Sequence, residues 1–127
     1  MHDIEGAVLV VEDDADVRAI AAVLLGELGY RVIEASSGEE ALQTLRGREP
    51  VQLLLTDLAM PGMGGLELAD VAKRMNPEMK VLYTSAYARL VDISPALRHG
   101  PLIEKPWRRE QLRAMLQTLL STRFKAE

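Results

Sequence analysis

The chain has 127 residues, enough for one domain and too few for two ordinary ones. It contains no cysteine, which excludes a disulfide framework, thiolate zinc sites and thiol catalysis. Its formal charge is −4, its basic residues are scattered, and no stretch approaches the ~20 continuous apolar residues of a membrane span, so neither nucleic acid nor membrane is an expected partner. The arginines near Arg108, Arg109 and Arg113 read as a solvated helix face. The start, Met1-His2-Asp3-Ile4-Glu5-Gly6, is too short and acidic for a secretory signal. A cytoplasmic location is expected.

Strand and helix patterns alternate along the chain. Ala7 to Val11 is a first apolar run. From Ala15 to Leu28 the residues Val17, Ile20, Ala21, Val23, Leu24 and Leu28 recur at helical spacing, and Gly29 stops the helix. Arg31 to Ala35 reads as a short strand. Ser36-Ser37-Gly38-Glu39-Glu40 offers an N-cap with an acid three residues on, and the helix behind it carries Ala41, Leu42 and Leu45 before Gly47. Val51-Gln52-Leu53-Leu54-Leu55-Thr56 reads as a strand buried on both faces, and Asp57 ends it. Gly62 to Gly65 is a loop, and Leu66 to Met75 a third helix closed by Asn76-Pro77. Lys80 to Thr84 is a fourth strand and Leu102 to Glu104 a short fifth. Arg108 to Ser121 is a final amphipathic helix with Leu112, Met115, Leu116, Leu119 and Leu120 inward. Between them, Tyr87 to Pro101 contains Asp92, Ser94-Pro95 and Gly100-Pro101, so at most a short or irregular helix is expected there. The organisation is a tail over residues 1–6, one domain over 7–121 and a polar tail over 122–127. Apolar strands alternating with helices imply α/β architecture, a parallel sheet covered on both faces with right-handed crossovers. There is no Gly-rich loop after the first strand, so a dinucleotide fold and a P-loop are excluded.

The chemistry gathers at strand ends, where open parallel sheets hold their ligands. Asp57 is followed by Leu58-Ala59-Met60-Pro61-Gly62, whose Pro-Gly pair forces a turn. The first strand runs into Glu12-Asp13-Asp14, acids that repel one another unless a cation neutralises them. For Asp14 the simpler account, an N-cap of the following helix, is preferred. It does not explain Asp57 on the same rim. Glu12, Asp13 and Asp57, helped by the backbone carbonyl of Ala59, supply the oxygen ligands that a hard Mg²⁺ (or Mn²⁺) wants. Lys105 precedes Pro106, which restricts it to extended geometry and makes the Lys-Pro bond a candidate for the cis isomer. Its ammonium is thereby aimed at Asp57 or at phosphate oxygens, although an exposed lysine beside acids is ordinarily a plain salt bridge. Thr84-Ser85-Ala86 ends the fourth strand. Ser85 is the better placed hydroxyl if it is the last extended residue, with Thr84 its competitor.

These residues resemble the receiver domain of two-component response regulators, the CheY-like group, over nearly the whole chain from Ala7 to about Leu120. Glu12-Asp13, Asp57-Leu58-Ala59-Met60-Pro61-Gly62-Met63, Ser85-Ala86 and Lys105-Pro106 stand in that family's order and spacing. The resemblance implies a flavodoxin-like five-stranded parallel sheet in the order 2-1-3-4-5. It implies that Asp57 is a phosphoacceptor taking a phosphoryl group from a phosphohistidine, and that Glu12 and Asp13 hold Mg²⁺. Lys105 would contact the phosphoryl oxygens, and Ser85 would move as a switch hydroxyl. The partners implied are a histidine kinase or histidine phosphotransfer protein, a downstream effector and a second copy of the chain. Departures stand at Gly64, where the family often has an acid, and at Leu102, where it usually has an aromatic switch residue. Tyr83 and Tyr87 are candidates to replace that ring, with Tyr83 better read as core, and Trp107 reads as packing at the start of the last helix. Ala59 and Tyr87 occupy the positions that gate water at the phosphoryl group, from which slow self-dephosphorylation is expected.

Two rival readings fit less well. An aspartate-nucleophile phosphohydrolase usually needs an acid two residues after its nucleophile, and here that position is Ala59. A degenerate receiver acting as an unphosphorylated binding module would not need the full set of Asp57, acidic pair, Ser85 and Lys105. The chain fits either a stand-alone receiver or the receiver part of a hybrid kinase, as a signalling domain and not an enzyme in its own right.

Overall fold

The central strands are apolar throughout because both of their faces are covered. Ala7–Val11 (β1) buries all five residues, and Val51–Asp57 (β3) buries all but Gln52. The computed structural model describes residues 6–86 and 94–121. Within them β1 is followed by α1 (Ala15–Glu27), β2 (Val32–Ala35) and α2 (Gly38–Arg46). After β3 come α3 (Gly65–Met75), β4 (Lys80–Ser85), β5 (Leu102–Glu104) and α4 (Arg109–Ser121). All strand pairs are parallel, and the order is β2-β1-β3-β4-β5, as expected. Tyr87 and Asp92 lie outside the described residues. What is described of the weak segment holds one 3-10 turn at Ser94–Ala96.

Strand alternation divides the apolar residues between two cores. On one face Leu9, Val11, Leu54, Val81 and Tyr83 pack with Ala41 and Leu42 of α2 and Leu68, Ala69 and Ala72 of α3. On the other, Val8, Val10, Leu53, Leu55, Leu82 and Ile103 pack with Ala21 and Leu25 of α1 and Leu112 and Leu116 of α4. Helix ends follow their caps. Asp14 accepts from the backbone amides of Asp16 and Val17. Ser37 accepts from the amide of Glu40, while the Glu40 carboxylate reaches one residue beyond the usual capping-box partner, to the amide and hydroxyl of Ser36. Gly29, at φ 98°, takes the left-handed turn that ends α1.

One close approach shapes the loop after β3. The Gly65 amide donates to the Leu58 carbonyl at 3.0 Å, and a Cβ at Gly65 would lie 2.2 Å from the Asp57 carbonyl oxygen. Only glycine lets α3 start this near the end of β3. Gly65→Ala is therefore expected to destabilise the fold by about 2 kcal/mol, on the order of 8 °C in Tm, through backbone overpacking. Gly26→Ala in α1, whose Cβ would meet nothing within 4 Å, is expected to stabilise by about 0.5 kcal/mol through helix propensity. Thermal unfolding of the two variants checks the contrast.

Candidate functional site

Parallel strands deliver their C-terminal ends to one edge, and the acids gather there. Glu12 follows β1, is 3% exposed, and is fixed by its amide donating to the Ala35 carbonyl at 3.1 Å. Asp13 beside it is exposed, whereas Asp57 at the end of β3 is 7% exposed. One carboxylate oxygen from each of Glu12, Asp13 and Asp57 lies within 4.8 Å of the others. The Lys105 ammonium donates to Glu12 Oε1 at 2.6 Å and stands 3.4 Å from Asp57 Oδ2. Its nearest partner is thus Glu12, with Asp57 second. Sequence reading anticipated the second contact and not the first. The Lys105-Pro106 bond is cis.

The charges do not balance. Among the described residues three carboxylates face one ammonium, leaving two negative charges, an excess that a divalent cation would remove. Burial pushes the Glu12 carboxyl above its usual value, against the opposing pull of the Lys105 hydrogen bond and the Asp14 amide, with Asp57 adding repulsion. Burial would lower the Lys105 ammonium, but the Glu12 hydrogen bond and the Asp57 charge outweigh it and hold the ammonium above its ordinary range. The pair therefore shares its cost unequally. Glu12 meets desolvation and a like charge, while Lys105 meets two opposite ones. The donor set is all oxygen and gathered in one place, so the three acids fit a hard divalent cation.

The remaining candidates fall as follows. Ser85 is buried at the end of β4, and its carbonyl accepts from the Lys105 amide at 3.1 Å. Thr84 is the β3–β4 register partner of Asp57. Ala59 is exposed on the loop after β3. Tyr87 lies outside the described residues, so its gating role and its candidacy as a replacement ring have no structural counterpart here. Tyr83 is fully buried, as its core reading anticipated, and is in register with Leu102.

Three features were not legible beforehand. Arg18 donates to the Glu12 carbonyl at 2.8 Å and to Glu34 at 3.3 Å, bracing the strand end from α1. Trp107, expected only to pack, also donates its indole N–H to Thr84 Oγ1 at 2.9 Å. Asp70 of α3 accepts from Arg98 at 2.9 Å and pairs with His99 Nε2 at 2.7 Å, which ties α3 to the segment before β5. The His99 contact, ahead of the Arg98 charge, holds the Asp70 carboxyl below its ordinary value despite some desolvation. Helical spacing signals none of these, because none joins residues three or four apart on one helix.

The family model described as response regulator receiver domain matches residues 8–117. The response regulator receiver protein CpdR of Brucella abortus is 33% identical over 115 residues, which cover 89% of this chain and 95% of CpdR. The nitrogen assimilation regulatory protein NtrX of Azorhizobium caulinodans is 31% identical over 125 residues, covering 95% of this chain but 26% of NtrX. Among solved structures, a CheY-like receiver domain protein from Methanospirillum hungatei superposes with a TM-score of 0.85 at 28% identity, covering 98% of this chain and all of that one. The response regulator TrrA of Thermotoga maritima, solved with Mg(2+)-BeF, is 30% identical with a TM-score of 0.76, covering 91% and 99% of the two chains.

The ion pair has a measurable signature. Lys105→Met leaves Glu12 and Asp57 buried without their shared cation, and is expected to cost about 2 kcal/mol at pH 7. Without the ammonium, the folded-state pKa of Glu12 rises further above its unfolded value. An acid raised in this way opposes folding above its pKa, and the penalty fades as pH falls and Glu12 takes up a proton. Denaturant midpoints at pH 7 and pH 5 should show the larger gap from wild type at pH 7.

Proposed function

Because the chain belongs to the response regulator receiver domain family, we propose that Asp57 is its phosphoacceptor, charged by a phosphohistidine of a histidine kinase or histidine phosphotransfer protein. A carboxylate oxygen of Asp57 attacks phosphorus, the P–N bond to the donor imidazole breaks, and an aspartyl phosphate forms. The observation that carries this reading is the Lys105 ammonium set between Glu12 and Asp57, with Asp13 alongside. Lys105 is already near the acceptor and can follow the phosphoryl oxygens as charge builds on them. Glu12, Asp13 and Asp57, with the Ala59 carbonyl, would hold Mg²⁺ (or Mn²⁺), which neutralises charge on the transferring group. Ser85, at the end of β4 and linked to Lys105 by its own carbonyl, is the hydroxyl that would turn to the new phosphate.

The donor has to approach the rim where Asp57 opens. The surface there includes an apolar groove of about 330 Å³ lined by Val17, Ile20, Leu24, Ala86, Lys105, Pro106 and Trp107, and Ile20 is 59% exposed. A partner helix with apolar residues fits this groove. The receiver unit is taken as residues 7–121, with residues 1–6 and 122–127 as tails, signalling to an effector and open to pairing with a second copy. No helix among the described residues is long and apolar enough to cross a membrane, and a cytoplasmic location is part of the same reading.

Incubation with acetyl phosphate and Mg²⁺ is expected to add the mass of one phosphoryl group, and Asp57→Asn to abolish the adduct. Asp13→Asn, an exposed site that leaves the core intact, should weaken Mg²⁺ binding about tenfold, worth roughly 1.4 kcal/mol. Ala59 cannot orient an attacking water, so the acyl phosphate should persist for minutes or longer with Mg²⁺ present. A lifetime of seconds would contradict the gating assigned to Ala59 and Tyr87.

A further inference from the structure

The side-chain cluster that this reading leaves unused is Thr84–Trp107. Thr84 is 2% exposed and is the register partner of Asp57, so the two side chains leave the sheet on the same face. Its hydroxyl oxygen accepts from the Trp107 indole N–H at 2.9 Å. A half-buried indole needs such a partner for its N–H, and a buried hydroxyl can supply the lone pair. The Trp107 ring packs against the core built from Val10, Leu55, Ile103 and Leu112.

Lys105 lies between two attachments to the end of β4. On its N-terminal side its own amide donates to the Ser85 carbonyl at 3.1 Å. On its C-terminal side, across Pro106, Trp107 is bonded to Thr84. Two successive residues of β4 thus hold the chain on either side of the lysine that faces Glu12 and Asp57. Without the second attachment the lysine is anchored on one side only, and a long flexible side chain has many other places to put its charge.

We propose that Trp107 is a positioning residue: its indole N–H, bonded to Thr84, holds Lys105 against Glu12 and Asp57 and ties the acceptor to the apolar groove that Trp107 lines. The consequence for phosphoryl transfer rests on the acceptor role given to Asp57; the placement of Lys105 does not.

Trp107→Phe keeps a ring and deletes the N–H, and Thr84→Val keeps the shape and deletes the acceptor. The full chain of each variant is treated with an amine-acetylating reagent at neutral pH, and labelling of Lys105 is measured against Lys73 by peptide mass spectrometry. Lys73 is a fitting internal control because its ammonium donates to the Pro77 and Met79 carbonyls at 2.7 and 2.9 Å, so general loosening would release both lysines together. Each variant is expected to raise the Lys105-to-Lys73 ratio about fivefold, the factor set by one net hydrogen bond. Thr84→Ser, which keeps the hydroxyl, should return most of the protection. Both deletions should also lower the saturating rate of phosphorylation by acetyl phosphate about tenfold, with half-saturation by the donor little changed. A labelling ratio that stays at the wild-type value in both Trp107→Phe and Thr84→Val overturns the proposal. If the wild-type chain takes no phosphoryl group while the ratio still rises, the acceptor role of Asp57 fails and the positioning role of Trp107 stands.

Discussion

A single ammonium shared by buried carboxylates governs this molecule. Glu12 is almost wholly enclosed, and a carboxylate in that position is costly unless a cation and hydrogen bonds meet it. Lys105 supplies the cation from 93 residues away, and the Asp14 amide adds a hydrogen bond to the other oxygen. The compensation is deliberately incomplete in the physical sense that two negative charges remain. A second lysine would balance them and remove the electrostatic reason for a divalent ion to sit there. Burial above all, with added repulsion from Asp57, holds the Glu12 carboxyl above its ordinary value.

The sheet explains how so many acids come together without a dedicated scaffold. In a parallel sheet the strand ends that lead into helices all lie on one edge, so residues at the ends of β1 and β3 meet whatever their sequence separation. The two cores then fix the edge from both sides. α1 and α4 cover one face and α2 and α3 the other, and α3 is drawn tight against the end of β3 by the close approach at Gly65. Position, not flexibility, is what the fold contributes, because a carboxylate displaced by an ångström would face neither Lys105 nor its acidic neighbours.

Much of this was legible in the sequence, for reasons that can be named. β1 and β5 were read to their observed bounds because unbroken apolar runs ended by charged or turn residues leave little freedom in where a strand stops. Asp14 and Ser37 announced their helices, since capping is a local affair of three or four residues. Asp57, Glu12, Asp13 and Lys105 were legible as a set because each ends a strand of one sheet. What stayed hidden was pairing. Periodicity assigns a residue to a face and says nothing of which polar group opposite will meet it. Lys105 was expected to turn to Asp57 and lies closer to Glu12. The Trp107–Thr84 and Asp70–His99 bonds, both long-range, had no local signal at all.

The absence of an aromatic residue at position 102 becomes intelligible once the two faces of the sheet are compared. Leu102 packs on the face that also carries Tyr83, and the Tyr83 ring is fully buried with its hydroxyl receiving the His99 backbone amide. A ring held at its tip and enclosed on every side has no vacant position to swing into, and the Asp70 contacts with Arg98 and His99 brace the segment that supplies that amide. On the opposite face Trp107 is only partly enclosed, borders open apolar surface and is bonded directly to the strand residue beside Asp57. Any change in charge at Asp57 that draws Lys105 toward a new partner pulls on the chain between Lys105 and Trp107, because Pro106 leaves that chain little slack. Among the described residues the open apolar surface beside the acidic site lies along α1 and just before α4, on the side where the one indole sits.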